Sequence, residues 1–218
     1  MTINKYVIES IHDYNINYSN RDIYLNNCPS NVDNDNPGVE HRMADNLIKN
    51  IRILDADNKY PITIHMHSIG GDLFSGMAIF DSILTCQSHV ITIVYGQAES
   101  MSSIILQASD RRIMMPNSYF MLHYGSTGFF GHYLDAVNYM DFEKRYNERI
   151  LNIYVNAFMN SKCFKENVKD KTYNKARSYI MRKLKNGDWF LDAEETVYHG
   201  FADCVLGSKE CKDIGSLI

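Results

Sequence analysis

Residues 61–108 read PITIHMHSIGGDLFSGMAIFDSILTCQSHVITIVYGQAESMSSIILQA, and this stretch decides the fold class. Residues 61–67 are apolar and β-prone, as a half-buried strand requires, and Gly70-Gly71 follows them. Leu73, Met77, Phe80 and Leu84 then recur at spacings of four, three and four, which predicts a helix over 73–84. Residues 89–95 (HVITIVY) predict a second buried strand, ended by Gly96. Residues 100–108 predict a helix with Met101, Ile104, Ile105 and Ala108 inward. Strand, glycine turn and helix, taken twice, predict an α/β fold.

The flanks extend the pattern. Residues 112–115 and 119–123 read as two strands around the turn Pro116-Asn117-Ser118. Upstream, residues 21–25 read as a short strand, 26–38 (NNCPSNVDNDNPG) as a turn-rich loop and 39–54 as a helix. The first thirty residues alternate polar and β-prone types, and residues before 21 read as a short polar segment. Downstream, 133–159 predict one long helix, and the basic stretch 162–185 is also helical in character. GDWFLDAEE (187–195) reads as a loop and a helix start, with Asp192 as N-cap, Glu195 as its capping-box partner and Gly200 closing the helix.

Composition narrows the function. The chain has 218 residues, enough for one domain with a real core. It holds no run of 18 apolar residues, so no spanning helix is expected. MTINKYVIES does not read as a secretory signal. A net charge of -4 without a basic stripe argues against nucleic acid as the main partner. The five cysteines (28, 86, 163, 204, 211) include no C-x-x-C pair and read as reduced thiols of a cytosol-like compartment. His65 and His67 lie two apart on one strand face without a third ligand at useful spacing, so they read as core or interface residues, and no metal is expected. The cations of 175–185 read as a solvated helix face, and the methionines as core filler.

Two glycine turns feed helices, where unsatisfied N–H groups and the helix dipole favour negative charge. The second carries Ser100, a candidate nucleophile. A serine needs a base within hydrogen-bond reach and a group that orients the base. His123, at a strand end, suits the first role and Asp188, in a loop, the second. Local chemistry alone does not select them: a helix-start serine is more often a cap, and an aspartate beside Gly187 more often a turn former.

Four motifs change that balance. SIGGDLFSGMAIFDSI (68–83), YGQAESMSS (95–103), MPNSYFMLHYGSTGFFG (115–131) and GDWFLDAEETVYHGFAD (187–203) stand in the order and form of the ClpP family of serine peptidases. The chain resembles that family over residues 21–206. The resemblance implies a ClpP/crotonase-like fold of ββα units with a protruding handle helix, as a single peptidase domain over 1–218. It implies Ser100 as nucleophile, His123 as general base and Asp188 as orienting acid, with the backbone N–H groups of Gly71 and Met101 as oxyanion hole. It further implies two stacked heptameric rings joined by a handle at 126–158, an ATP-driven Clp-type unfoldase as partner, and unfolded polypeptides as substrates. No cofactor is implied, and no Walker A motif is found, so the chain itself is not expected to hydrolyse ATP.

The sequence departs from the family at several points. Ile69 stands where proline is usual ahead of the oxyanion glycine, and Glu99 where alanine usually precedes the nucleophile. Gly187 stands where many members carry an arginine, while Asp135 keeps an acidic position of the ring-contact network. About fifteen additional residues fall between His123 and Asp188, assigned to 163–185. The alternatives to a degradative endopeptidase are a catalytically silent ring scaffold, a phage-type maturation peptidase and an acyl-CoA enzyme of the crotonase type.

Overall fold

The computed structural model describes residues 5–26 and 38–213. Most of the loop expected over 26–38, with Cys28, lies outside them.

Helix α1 (Lys5–Tyr14) leads into β1 (Ile16–Asn17) and β2 (Asp22–Asn26). Helix α2 (His41–Asp57) precedes β3 (Ile62–Ser68), α3 (Leu73–Leu84) and β4 (Val90–Glu99). Then come α4 (Met101–Leu106), β5 (Arg111–Met114) and β6 (Tyr119–Leu122). The C-terminal part holds α5 (Tyr133–Met159), α6 (Lys162–Asn167), α7 (Tyr173–Leu184), β7 (Trp189–Asp192), α8 (Ala193–Tyr198) and β8 (Cys204–Val205).

The sheet runs β1-β2-β3-β4-β5-β8 and is parallel from β2 onward. Strand β4 organises it. Residues Ile91–Val94 pair with β5, and Gln97–Glu99 pair with β6. Gly96 sits between the two sets at φ +62, so it kinks a ten-residue strand where the strand changes partner. The expectation that Gly96 ends the strand is thus corrected, because non-local pairing carries the ladder past the glycine. The alternation of β4 divides the interior. Ile91 and Ile93 face a small cluster with Ile113, Cys204 and Cys211, whereas Val90 and Val94 face the main core with Ile62, Ile64, Leu106 and Phe120.

Three other expectations change. Residues 5–14 form a helix, since Val7, Ser10 and Ile11 share one partly buried stripe and the Asn50 amide donates to the Tyr14 carbonyl at 2.7 Å. Residues 189–192 form a strand rather than a loop, antiparallel to β6 with Leu122 opposite Trp189. Residues 123–130, which include the start of the expected handle at 126–158, hold no regular structure. The basic stretch is helical as expected, in two helices. Ser161 caps α6, Thr172 caps α7, and Phe158 of α5 stacks on Tyr179 of α7 with ring centroids 4.6 Å apart. These helices bury Phe164, Ile180 and Leu184 against α5, so this stretch extends the core.

Helix α5 changes character along its length. Its second half buries Leu151, Tyr154, Val155 and Phe158, while Tyr133, Leu134 and Met140 near its start are exposed. Among the described residues no helix is both long and apolar enough to cross a membrane.

Candidate functional site

The sheet register brings the three candidate side chains together. β4 pairs with β6 up to Glu99↔Met121, and the Ser100 N–H donates to the Met121 carbonyl at 2.9 Å. β6 pairs with β7 in the opposite sense up to Leu122↔Trp189, so the next residues outward, His123 and Asp188, stand opposite one another. Ser100 and Asp188 flank the same histidine although 88 residues separate them along the chain.

Ser100 occupies the N-cap position of α4 yet makes no side-chain cap bond, so it is not the ordinary helix cap that its position allows. Its backbone is strained, at φ +51 and ψ -122, a region that disfavours a side chain. The Ser100 hydroxyl donates to His123 Nε2 at 2.7 Å, and His123 Nδ1 lies 3.2 Å from Asp188 Oδ1. A carboxylate only accepts, so the proton belongs on Nδ1, leaving Nε2 to accept from the serine. The His123 side chain is one-quarter exposed and that of Asp188 one-half exposed.

The loop before α3 stands against this turn. Val39 bridges to Gly71 in parallel fashion: its N–H donates to the Gly70 carbonyl at 2.6 Å and its carbonyl accepts from the Asp72 N–H at 2.7 Å. In such a bridge the N–H of Gly71 itself faces away from Val39. Gly70, at φ +85, lies so close to the Ser100 turn that a Cβ there would fall 2.7 Å from the Met101 nitrogen. The Met101 N–H belongs to the first turn of α4, where no helical carbonyl is available to it. Gly71, Met101, Ser100 and His123 all line one cleft of about 580 Å³.

Buried hydroxyls hold both halves of this arrangement, and the sequence reading missed them. Ser102 donates to the Ser68 hydroxyl at 2.7 Å, and that oxygen accepts from the Gly70 N–H at 3.3 Å. Both serines are fully buried. This chain of bonds ties α4 to the loop at the point where Ile69 replaces the usual proline. Ser103 donates to the Ser100 carbonyl at 2.6 Å and meets the Tyr154 hydroxyl of α5 at 2.7 Å. Burial pushes the Tyr154 phenol far above its ordinary range, which keeps its proton in place. Ser102 and Ser103 share the motif of Ser100, but nothing local announces their partners.

The departures find local answers. The Tyr119 hydroxyl donates to the Glu99 carboxylate at 2.6 Å, and Glu99 is absent from the cleft lining. The Asp72 carboxylate caps α3 by accepting from the Ser75 N–H and hydroxyl. Burial pushes the Asp72 carboxyl up, but those bonds outweigh it and hold it below the usual range. The other marked residues have structural partners. His65 meets the Tyr95 hydroxyl and stacks on Tyr24, and among the described residues no group of three His, Cys, Asp or Glu is arranged to hold a metal. Arg177 pairs with Glu148 of α5, and Lys183 stands over the rings of Tyr179 and Trp189, so the basic face of α7 is partly engaged. Cys86, Cys163, Cys204 and Cys211 are free thiols.

A largely parallel α/β sheet with one antiparallel strand, β7, holds serine, histidine and aspartate in hydrogen-bond sequence beside a tight glycine loop. The sequence model of the Clp protease family matches residues 35–209. An ATP-dependent Clp protease proteolytic subunit from Deinococcus radiodurans is 28% identical over 171 residues, spanning 77% of this chain and 76% of its own length. One of the same description from Streptococcus uberis is 30% identical over 179 residues, with 80% and 83% covered. A solved ClpP1 mutant from Listeria monocytogenes superposes with a TM-score of 0.69 at 18% identity, covering 88% of this chain and 95% of its own. The chain belongs to the Clp protease family.

Proposed function

We propose that this chain is a serine endopeptidase that cuts unfolded polypeptide through an acyl-enzyme. The observation that carries the proposal is the unbroken contact from the Ser100 hydroxyl through His123 to Asp188, at 2.7 and 3.2 Å. His123 Nε2 takes the hydroxyl proton as Ser100 Oγ forms a bond to the peptide carbonyl carbon. The carbonyl oxygen gains negative charge and is met by the N–H groups of Gly71 and Met101. His123 then returns the proton to the leaving nitrogen as the C–N bond breaks. Water, deprotonated by the same histidine, attacks the ester and restores Ser100. Asp188 fixes the Nδ1–H tautomer and stabilises the imidazolium.

The assembly is part of the proposal: two heptameric rings meeting through α5, fed by an ATP-driven Clp-type unfoldase in a reducing compartment. The relatives described as ATP-dependent proteolytic subunits support it, as does the exposed apolar surface of Phe130, Tyr133 and Leu134. A fluorophosphonate probe tests the chemistry. It should label Ser100, fail on Ser100→Ala and react far more slowly with His123→Ala. Asp188→Asn should lower peptide turnover by up to ~10⁴ by favouring the wrong tautomer. A folded, assembled particle that refuses the probe would establish the silent scaffold instead.

A further inference from the structure

The cleft carries a carboxylate that the reaction does not use. Tyr139, Glu143, Asn147 and Ile150 follow one another at helical spacing and present one face of α5 to the cleft that holds Ser100 and His123. Glu143 is partly buried there. Among the described residues it makes no hydrogen bond and no ion pair. The neighbouring cations are turned elsewhere. Lys144 lies 3.5 Å from Asp141, Arg149 stands over the Tyr146 ring, and Arg177 holds Glu148. Asp72, the other carboxylate of the lining, is engaged as the α3 cap, and no lysine or arginine lines the cleft. Ile69, Phe74, Met121 and Ile150 supply apolar walls. Apolar walls with one carboxylate match a side chain of aliphatic stem and cationic head.

We infer that Glu143 selects substrates carrying lysine or arginine next to the scissile bond. The inference rests on the reading of this cleft as a peptidase site and names its substrate class. The bound cation would pair with Glu143 while its methylenes pack on the apolar walls. An uncharged side chain of equal length would leave the carboxylate facing an unpaired, partly desolvated pocket.

The test compares N-acetylated peptides that differ only in the residue before the scissile bond: lysine, arginine or norleucine. The wild type should favour the basic peptides about tenfold in kcat/KM, or ~1.4 kcal/mol. In Glu143→Gln the ratio should fall to about one, and in Glu143→Lys it should invert. A ratio unchanged by Glu143→Gln overturns the inference. The same peptides, fluorescently labelled, are bound to Ser100→Ala, where no chemistry occurs. Glu143-dependent binding selectivity there, together with no turnover by the wild type, would refute the acyl-enzyme reading and leave this inference standing. Turnover without selectivity would do the reverse.

Discussion

Replacing Gly70 by alanine should disable the site while leaving the chain folded. An added Cβ would sit 2.6 Å from the Glu99 carbonyl oxygen, 2.7 Å from the Met101 nitrogen and 2.7 Å from Ser100 Cβ. Each contact is roughly 1 Å short of normal separation. Two of the three atoms are backbone, so the turn must move rather than a side chain. A misplacement of about 1 Å near reacting groups costs ~10²-fold, and the loss of one oxyanion donor 10²–10³-fold, so kcat/KM should fall by ~10²–10³. Left-handed strain at φ +85 adds to overpacking, and stability should drop by ~2–4 kcal/mol. Gly96→Ala is the matched control. It has comparable strain at φ +62, but its Cβ would meet only the imidazole of His67, an exposed side chain with room to turn. That variant should keep peptidase activity to within about threefold. The assay is the rate of fluorophosphonate labelling at Ser100 together with peptide kcat/KM, both below the melting temperature of each variant. Labelling of folded Gly70→Ala at the wild-type rate would refute the reasoning, as would equal losses in the two alanine variants.

Ser102→Ala should cost ~1–2 kcal/mol in thermal or urea unfolding, because it removes the shorter of the two bonds to the buried Ser68 hydroxyl. It should also lower kcat/KM several-fold, and the double variant with Ser68→Ala should be less than additive. Acid should act through Asp55. Burial pushes that carboxyl up, but the Lys59 ammonium, the Ser88 hydroxyl and the N–H groups of Gln87 and Ser88 outweigh this and hold it well below the usual carboxylate range. A lowered carboxyl contributes stability that is fully present above its unfolded value of about 4 and is lost as pH falls further. The melting temperature should therefore decline below about pH 4, and less steeply in Asp55→Asn; parallel slopes would exclude Asp55 as the cause.

The sequence revealed most where short-range pattern and final structure coincide. Helix α3 begins and ends where its apolar spacing predicts, and the capping box of Asp192 with Glu195 forms as its spacing requires. What stayed hidden depends on partners far along the chain. Gly96 reads locally as a stop, yet β5 and β6 together hold the strand open across it. Residues 189–192 read as a loop because their β-character comes from pairing with β6, some seventy residues upstream. That pairing also sets Asp188 opposite His123, so Asp188 stood out through family resemblance and not through local chemistry. Ser103 and Tyr154 meet across 51 residues, and no motif links them.

The dihedral angles of Ser100 set the proposed chemistry against the folding equilibrium. At φ +51 a glycine would rest without penalty, whereas the seryl Cβ costs the fold about 1 kcal/mol. A lineage of this chain released from the need for that hydroxyl would shed that steric cost through a single Ser100→Gly change, offset in part by the greater freedom of glycine in the unfolded chain. Selection for durability alone therefore pulls toward an inert descendant, and persistence of the seryl group would record continuing use.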